Sequence, residues 1–229
     1  MKIGIMGSGV VGQTLGAKLV ERGHDVVLGT RSPDKLDEKR GMGDSLADWL
    51  ASAEGGQGTA RVATFEEAAT HGEVVINATA GTGSLKALET AGEANLSGKI
   101  LIDVANPLDF SQGMPPTLTV CNTDSLGEQV QRALPEAKVV KTLNTVNANM
   151  MIAPDAVEDG NHVIFVCGDD SAAKAEVARY LHDWFGWKPD SVLDLGGIEA
   201  ARGTEMLLPL WIRLMGVLGT HMFNFRIAR

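Results

Sequence analysis

The sequence predicts a doubly wound α/β fold, a mostly parallel sheet with helices on both faces, followed by a small C-terminal α/β unit that ends in a long helix. Three observations predict it. Short apolar runs alternate with stretches of helical periodicity from Lys2 to Leu195, the order that right-handed βαβ crossovers produce. The first run meets the first helical stretch at a glycine-rich turn, Gly7-Ser8-Gly9-Val10-Val11-Gly12. The chain has 229 residues, 44% hydrophobic and 21% charged, an ordinary globular composition that can bury a sizeable core without staples.

The elements follow in order. Lys2 to Met6 reads as a strand, and Val11, Leu15 and Leu19 after the glycine turn recur at the spacing of one helical face. Gly23 stops that helix and Asp25 to Gly29 is the second strand. Residues 33–59 are polar and glycine-rich, with a short helix at Leu46 to Leu50. Arg61 to Ala63 is strand-like, and Thr64-Phe65-Glu66-Glu67 is a capping box that opens a helix. Val74 to Ile76 is a buried strand, Ser84 caps a helix running to about Ala91, and Lys99 to Ile102 is the next strand. A helix from Asp124 or Ser125 to Leu134 precedes a strand at Val139 to Leu143. Then come a strand at Val163 to Cys167, a helix at Ser171 to Phe185 and a strand at Val192 to Leu195. An apolar helix of roughly Ile198 to Phe225, kinked at Pro209, closes the chain. These elements divide into a first domain, 1–147, and a small second one, 148–229.

Charge narrows the partners. Lys plus Arg number 20 against 29 Asp plus Glu, a net charge of -9, so neither nucleic acid nor an anionic membrane is an expected partner. The start MKIGIMGSG runs straight into the glycine turn without the apolar segment of a signal peptide, and the expected location is the cytoplasm. Cys121 and Cys167 lie far apart in sequence and share no metal-ligand spacing; no metal is expected.

The glycine turn matches GxGxxG in the context that gives the motif meaning, a strand before and a helix after. Gly7 permits the tight turn, Gly9 lets backbone approach a diphosphate, and Gly12 lets the helix pack on the strand. The free amides and positive dipole end of that helix then suit an anion. This is the Rossmann-type dinucleotide site. At the end of the second strand, where an NAD site places a carboxylate, stands Gly29-Thr30-Arg31-Ser32-Pro33. A carboxylate would repel a ribose 2′-phosphate, whereas Arg31 attracts it, Thr30 and Ser32 can donate to it, and Lys35 adds charge. The expected cofactor is therefore NADP(H). The loops after later strands, with Thr79 and Ala80 in one, Val104, Ala105 and Asn106 in another, and 144–147 in a third, should line the nicotinamide side of the crevice.

With these residues in place, the chain resembles the NADPH-dependent reductases of the deazaflavin coenzyme F-420, and the related oxidoreductase domain attached to membrane ferric reductases. The resemblance rests on MGSGVVGQTLGAKLVERGHDVVLGTRSP, KILIDVANPL, KTLNTVNANMM, FVCGDD and ARGTEMLLPLWIRLM, and so spans nearly the whole chain. It implies hydride transfer between NADPH and a deazaflavin or flavin ring. By position it implies Ser8, Val10 and Val11 at the diphosphate, Thr30, Arg31 and Lys35 at the 2′-phosphate, and Ala80 and Asn106 near the nicotinamide. The family often carries Thr where this chain has Ser8 or Gly9.

Hydride transfer between two rings needs geometry more than acid–base chemistry, whereas reduction of a carbonyl or imine needs a proton donor. The available donors are His24, His71, His162, His182, His221 and Tyr180. Four of the histidines read as surface or structural groups, and His221 is the candidate for a pocket. No catalytic residue is assigned. Arg202 and Glu205 read as an i,i+3 surface ion pair, or Arg202 as a cation at the mouth of the crevice. Trp184, Trp187 and Trp211 read as core. The leading expectation is an oxidoreductase with a small planar redox acceptor; the alternatives are an NADPH-dependent imine or carbonyl reductase and a non-enzymatic NADP(H) sensor. The apolar closing helix suits a homodimer.

Overall fold

The computed structural model describes residues 1–228. Its sheet has eight strands in the order β10-β9-β8-β5-β4-β1-β2-β3. In chain order these are β1 (Lys2–Met6), β2 (Asp25–Gly29), β3 (Thr59–Ala63), β4 (Val74–Asn77), β5 (Ile100–Asp103), β8 (Lys138–Thr142), β9 (Ile164–Cys167) and β10 (Val192–Asp194). Two short strands, β6 (Leu108–Asp109) and β7 (Thr117–Leu118), form a separate antiparallel hairpin. Every pairing within the main sheet is parallel except β8 with β9.

The helices are α1 (Val10–Glu21), α2 (Leu46–Ala53), α3 (Phe65–His71), α4 (Gly81–Ala91), α5 (Glu93–Leu96), α6 (Leu126–Ala133), α7 (Ala148–Ile152), α8 (Ser171–Phe185), α9 (Ala201–Met206) and α10 (Leu208–Leu218). Alternation along each strand builds two cores. Ile3, Ile5, Val74, Ile76, Ile102 and Val140 face one layer with Leu15 and Leu19 of α1 and Val177 and Leu181 of α8. Met6, Val75, Leu101 and Val139 face the other, with Leu88 of α4 and Val130 of α6. Burial on both faces is why these strands read as continuous apolar runs.

The strands of the C-terminal unit join the first sheet, β9 pairing with β8 and β10 with β9. Two expectations are corrected. The closing helix is kinked as expected but shorter: α9 and α10 join through Leu207, whose backbone stays helical, just before Pro209 in the first turn of α10, and α10 stops at Leu218 rather than near Phe225 because Gly219 turns left-handed at φ +65°. Ser84 is not a cap: α4 begins three residues earlier at Gly81, and Ser84 is buried inside it. The capping box forms as read, with Thr64 Oγ1 accepting from Glu67 N and Glu67 accepting from Thr64 N.

Candidate dinucleotide-binding crevice

Gly7 has φ +114°, a conformation side chains avoid, and its backbone packs on the Ala78 carbonyl. A Cβ on Gly12 would fall on the carbonyl oxygen of Gly7, so α1 starts hard against the end of β1. Gly9 is the opposite case: a Cβ there would meet nothing within 4 Å. It is the N-cap of α1, which has no side-chain cap and no acidic residue in its first turn. The first bond within the helix runs from Gln13 N to Gly9 O at 3.0 Å, so the amides of Val10, Val11 and Gly12 have no acceptor within it. An open cradle over bare amides fits a diphosphate.

Of the first helices to follow each of the strands β1 to β5, α2 is capped by Ser45, α3 by Thr64 and α6 by Ser125, whereas α1 and α4 have no side-chain cap. Because β1 lies between β4 and β2, α1 and α4 leave the sheet on opposite sides of the β1–β4 junction. That junction is the topological switch point at which open α/β sheets bind ligands.

The second anion position adjoins the first. Gly7 N donates to Gly29 O at 3.0 Å, and Ser8 Oγ to Thr30 Oγ1 at 3.1 Å, so the turns after β1 and β2 are bonded together. Thr30 is buried, while Arg31 is exposed, and among the described residues nothing pairs with its guanidinium. Lys35 is exposed and bonded to Glu38 at 3.0 Å, which leaves Arg31 as the freer cation of this loop.

A buried polar network underlies the loops that carry Thr79, Ala80, Val104, Ala105 and Asn106. Asn77, fully buried, donates to Ser84 Oγ at 2.7 Å and Asp103 Oδ1 at 2.8 Å, and accepts from Thr79 Oγ1 at 2.7 Å. Lys141 Nζ lies 2.8 Å from Asp103 Oδ2 and 2.8 Å from Glu205 Oε1, and donates to the Ala105 carbonyl. Glu205 in turn accepts from Leu126 N at 2.8 Å and Gly127 N at 3.0 Å, the start of α6. Burial opposes the charge on Lys141, but Asp103 and Glu205 together outweigh it and hold the pKa above lysine's ordinary value. Nearby, Asn106 and Asn144 exchange amide bonds: Asn106 Nδ2 donates to Asn144 O at 2.8 Å and Asn144 Nδ2 to Asn106 Oδ1 at 3.0 Å. Leu143, at φ +60°, turns the chain there.

Sequence reasoning missed this network and misassigned two members of its surroundings. Glu205 is not a surface partner of Arg202. It is 1% exposed and bonded to Lys141, while Arg202 pairs with Glu128, Nε to Oε2 at 2.9 Å, across to α6. The signal that could have found it is a lysine inside the apolar strand KVVKT, in register with Asp103 of β5.

Five of the six proton-donor candidates are engaged with other parts of the fold, and His221 is the exception. Tyr180 is buried and stacked on Trp184 at 4.1 Å, and burial together with its bond to Glu176 pushes its hydroxyl up to about 12. His24 meets the edge of Trp184 and its pKa is lowered by burial; His71 Nε2 reaches the Asp25 carbonyl at 3.0 Å. His162 contacts Pro154 O and Trp187, and His182 contacts Trp187 O. His221 is exposed, and its carbonyl rather than its ring meets Asn147 Nδ2. Trp184, Trp187 and Trp211 are buried, and Trp211 stacks on Phe223 at 5.1 Å. Cys121 is exposed and Cys167 buried, both free, with burial pushing the Cys167 thiol up to about 12. Among the described residues no cluster of His, Cys, Asp and Glu could hold a metal ion, and no helix is long and apolar enough to cross a membrane.

Comparison with known proteins gives the family. Residues 2–107 match the model of the family described as NADP oxidoreductase, coenzyme F420-dependent. A crystal structure from Arthrobacter sp. FB24, provisionally described as an F420-dependent NADP-reductase, is 52% identical, covers 100% of both chains and superposes with a TM-score of 0.92. The metalloreductase STEAP3 of Rattus norvegicus is 31% identical over 92% of this chain, which spans 38% of that protein's length. A reductive aminase from Aspergillus terreus, in complex with NADPH and ethyl levulinate, is 16% identical with a TM-score of 0.64, covering 95% of this chain and 62% of its own. At that identity the likeness is one of fold. With the two bare helix starts, the loop at Thr30 and Arg31 and a full-length relative at 52% identity, the chain belongs to the coenzyme F420-dependent NADP oxidoreductase family and is an NADP-dependent oxidoreductase.

Proposed function

We propose that the chain transfers hydride between NADPH and a planar redox ring, coenzyme F-420 or a flavin, held against the nicotinamide. The observation that carries this reading is a crevice rich in bare amides and amide side chains, with Tyr180 and the rings of His24, His71, His162 and His182 engaged with other parts of the fold, and only the exposed His221 near the acceptor side. Such a site suits the positioning of two rings, which needs geometry more than acid–base chemistry. In this reading the amides of Val10 to Gly12 hold the diphosphate, and Thr30, Arg31, Ser32 and Lys35 surround the 2′-phosphate. Thr79, Ala80, Val104, Ala105 and Asn106 line the nicotinamide side. When bound, the cofactor supplies the hydride; NADPH, a proton and the oxidised ring give NADP⁺ and the reduced ring. Residues 1–147 serve cofactor binding, and 148–229 close the acceptor side, where Asn147 meets the carbonyl of His221. Two free cysteines fit action in the cytoplasm.

The test is loss of 340 nm absorbance when purified protein and NADPH meet F-420, FMN, FAD or a panel of ketones and imines. Turnover with F-420 or a flavin is expected. Turnover confined to ketones or imines would replace this reading with a reductase using solvent as proton donor.

We also propose that the active form is a homodimer joined through α10. Leu210, Val217 and Leu218 of this helix are exposed by 52%, 82% and 54%, and Trp211 Nε1 is buried without an acceptor. An apolar helix face of this kind is a usual mark of an interface. Sedimentation at micromolar concentration is expected to return twice the chain mass, and the single-chain mass would refute it.

A further inference from the structure

The loop from Arg31 to Ser45 is more tightly built than its polar sequence suggests. At its near end Arg40 Nη2 donates to the Ser32 carbonyl at 3.0 Å and the Lys35 carbonyl at 2.6 Å. Its middle is pinned by Ala47 N to Leu36 O at 3.0 Å. At its far end Gln13 of α1, 5% exposed, bonds both ways to Asp44: Nε2 donates to Asp44 O at 2.9 Å and Oε1 accepts from Asp44 N at 2.9 Å. The same Gln13 amide donates to the Ser8 carbonyl at 3.0 Å. One side chain thus ties the glycine turn to the end of the loop, and another folds the stretch that follows Arg31 back on itself.

Arg40 is also left short of partners. Its Nε is buried with no acceptor, and no ion pair among the described residues engages its guanidinium. Native proteins leave few buried donors in that condition, and each costs free energy unless something else compensates. A cation with no counter-ion, set behind the loop that carries Arg31 and Ser32, is compensated when a phosphate docks on that loop.

We infer that Arg40 is a specificity-determining positioning residue for NADPH over NADH: it shapes the Ser32–Lys35 turn and backs it with positive charge. This rests on the reading that the ribose 2′-phosphate lies at Thr30 to Lys35. Arg40 acts through the turn, and no contact with the phosphate is required of it.

The experiment is calorimetric titration of NADPH and NADH, without acceptor, into the wild type, Arg31→Asp and Arg40→Met. In Arg40→Met the NADPH Kd is expected to rise about 10-fold and the NADH Kd less than about 2-fold, because NADH carries a hydroxyl where NADPH carries the phosphate. Arg31→Asp is expected to raise the NADPH Kd by at least about 10-fold. If Arg40→Met does not fold, Arg40→Lys is titrated in its place, with an expected NADPH-only loss of about 3-fold. Equal losses for the two dinucleotides would mean that Arg40 merely stabilises the loop, and would overturn the inference, as would an unchanged NADPH Kd. A wild type without preference for NADPH, or an Arg31→Asp variant that binds it normally, would overturn the 2′-phosphate reading itself, and this inference with it.

Discussion

Replacing Lys141 by Met should lower the unfolding free energy by about 3–5 kcal/mol, the cost of removing one partner from a buried charge cluster. Methionine matches the lysine stem in length, so packing changes little. What changes is that Asp103 and Glu205, exposed by no more than 1%, both lose the ammonium between them, and the Ala105 carbonyl loses its donor. The remaining bonds, from Asn77 to Asp103 and from the start of α6 to Glu205, cannot neutralise two carboxylates. Urea denaturation would measure this as a lower midpoint at unchanged slope. A loss below about 1 kcal/mol would mean that the cluster carries less charge than its geometry implies. The pH dependence has a definite sign. A lysine whose pKa is raised by folding contributes fully below its unfolded value of about 10.4 and loses that contribution as pH rises through the raised value. The lysine's contribution should therefore hold across neutral pH and be lost in alkali.

The second large effect falls on binding rather than stability. Gly9→Val should lower NADPH affinity by about 100-fold or more, roughly 2.7 kcal/mol, while leaving the free protein within about 1 kcal/mol of the wild type. Gly9 has φ −80° and ψ −175°, extended backbone that any residue adopts, and a Cβ there meets no protein atom. The space it enters is the space proposed for the diphosphate. Gly12→Ala makes the contrast, since its Cβ strikes the Gly7 carbonyl and should cost stability and binding together. Thermal unfolding beside calorimetric NADPH titration separates the two variants. Normal NADPH binding by Gly9→Val would place the dinucleotide elsewhere.

The local chemistry of this chain was open to sequence reasoning and its long-range chemistry was not. The β1–α1 turn, the end of β2 at Gly29 and the capping box at Thr64 are set by residues within a few positions of one another, and each formed as read. α8 matched its expected span from Ser171 to Phe185 because its acidic cap at Asp170 and its left-handed Gly186 bracket it. The Lys141 cluster unites residues from β5, β8 and α9, and no periodicity announces such a meeting. The Arg202–Glu205 reading failed because i,i+3 spacing permits a pair without requiring one, and each residue found a partner on another element. The closing helix was read too long because Gly219 was passed over as a stop. Arg40 and Gln13 escaped notice because a polar loop gives no sign of which side chains turn inward to its carbonyls.

The reversal of chain direction at β9 limits what the crevice can grip. With β9 running against β8, α8 opens at the back rim, where its N-cap Asp170 lies 3.7 Å from Lys138 at the start of β8. Whatever pull that helix end exerts falls at the rim opposite the β1–β4 switch point. At the front rim, α6 is covered by Ser125 and by Glu205, so α1 and α4 are the helix starts left there without a side-chain cap. In the proposed reading both face the dinucleotide. A second substrate then has no helix start of its own, and its retention falls to surface complementarity with the nicotinamide and the walls around it.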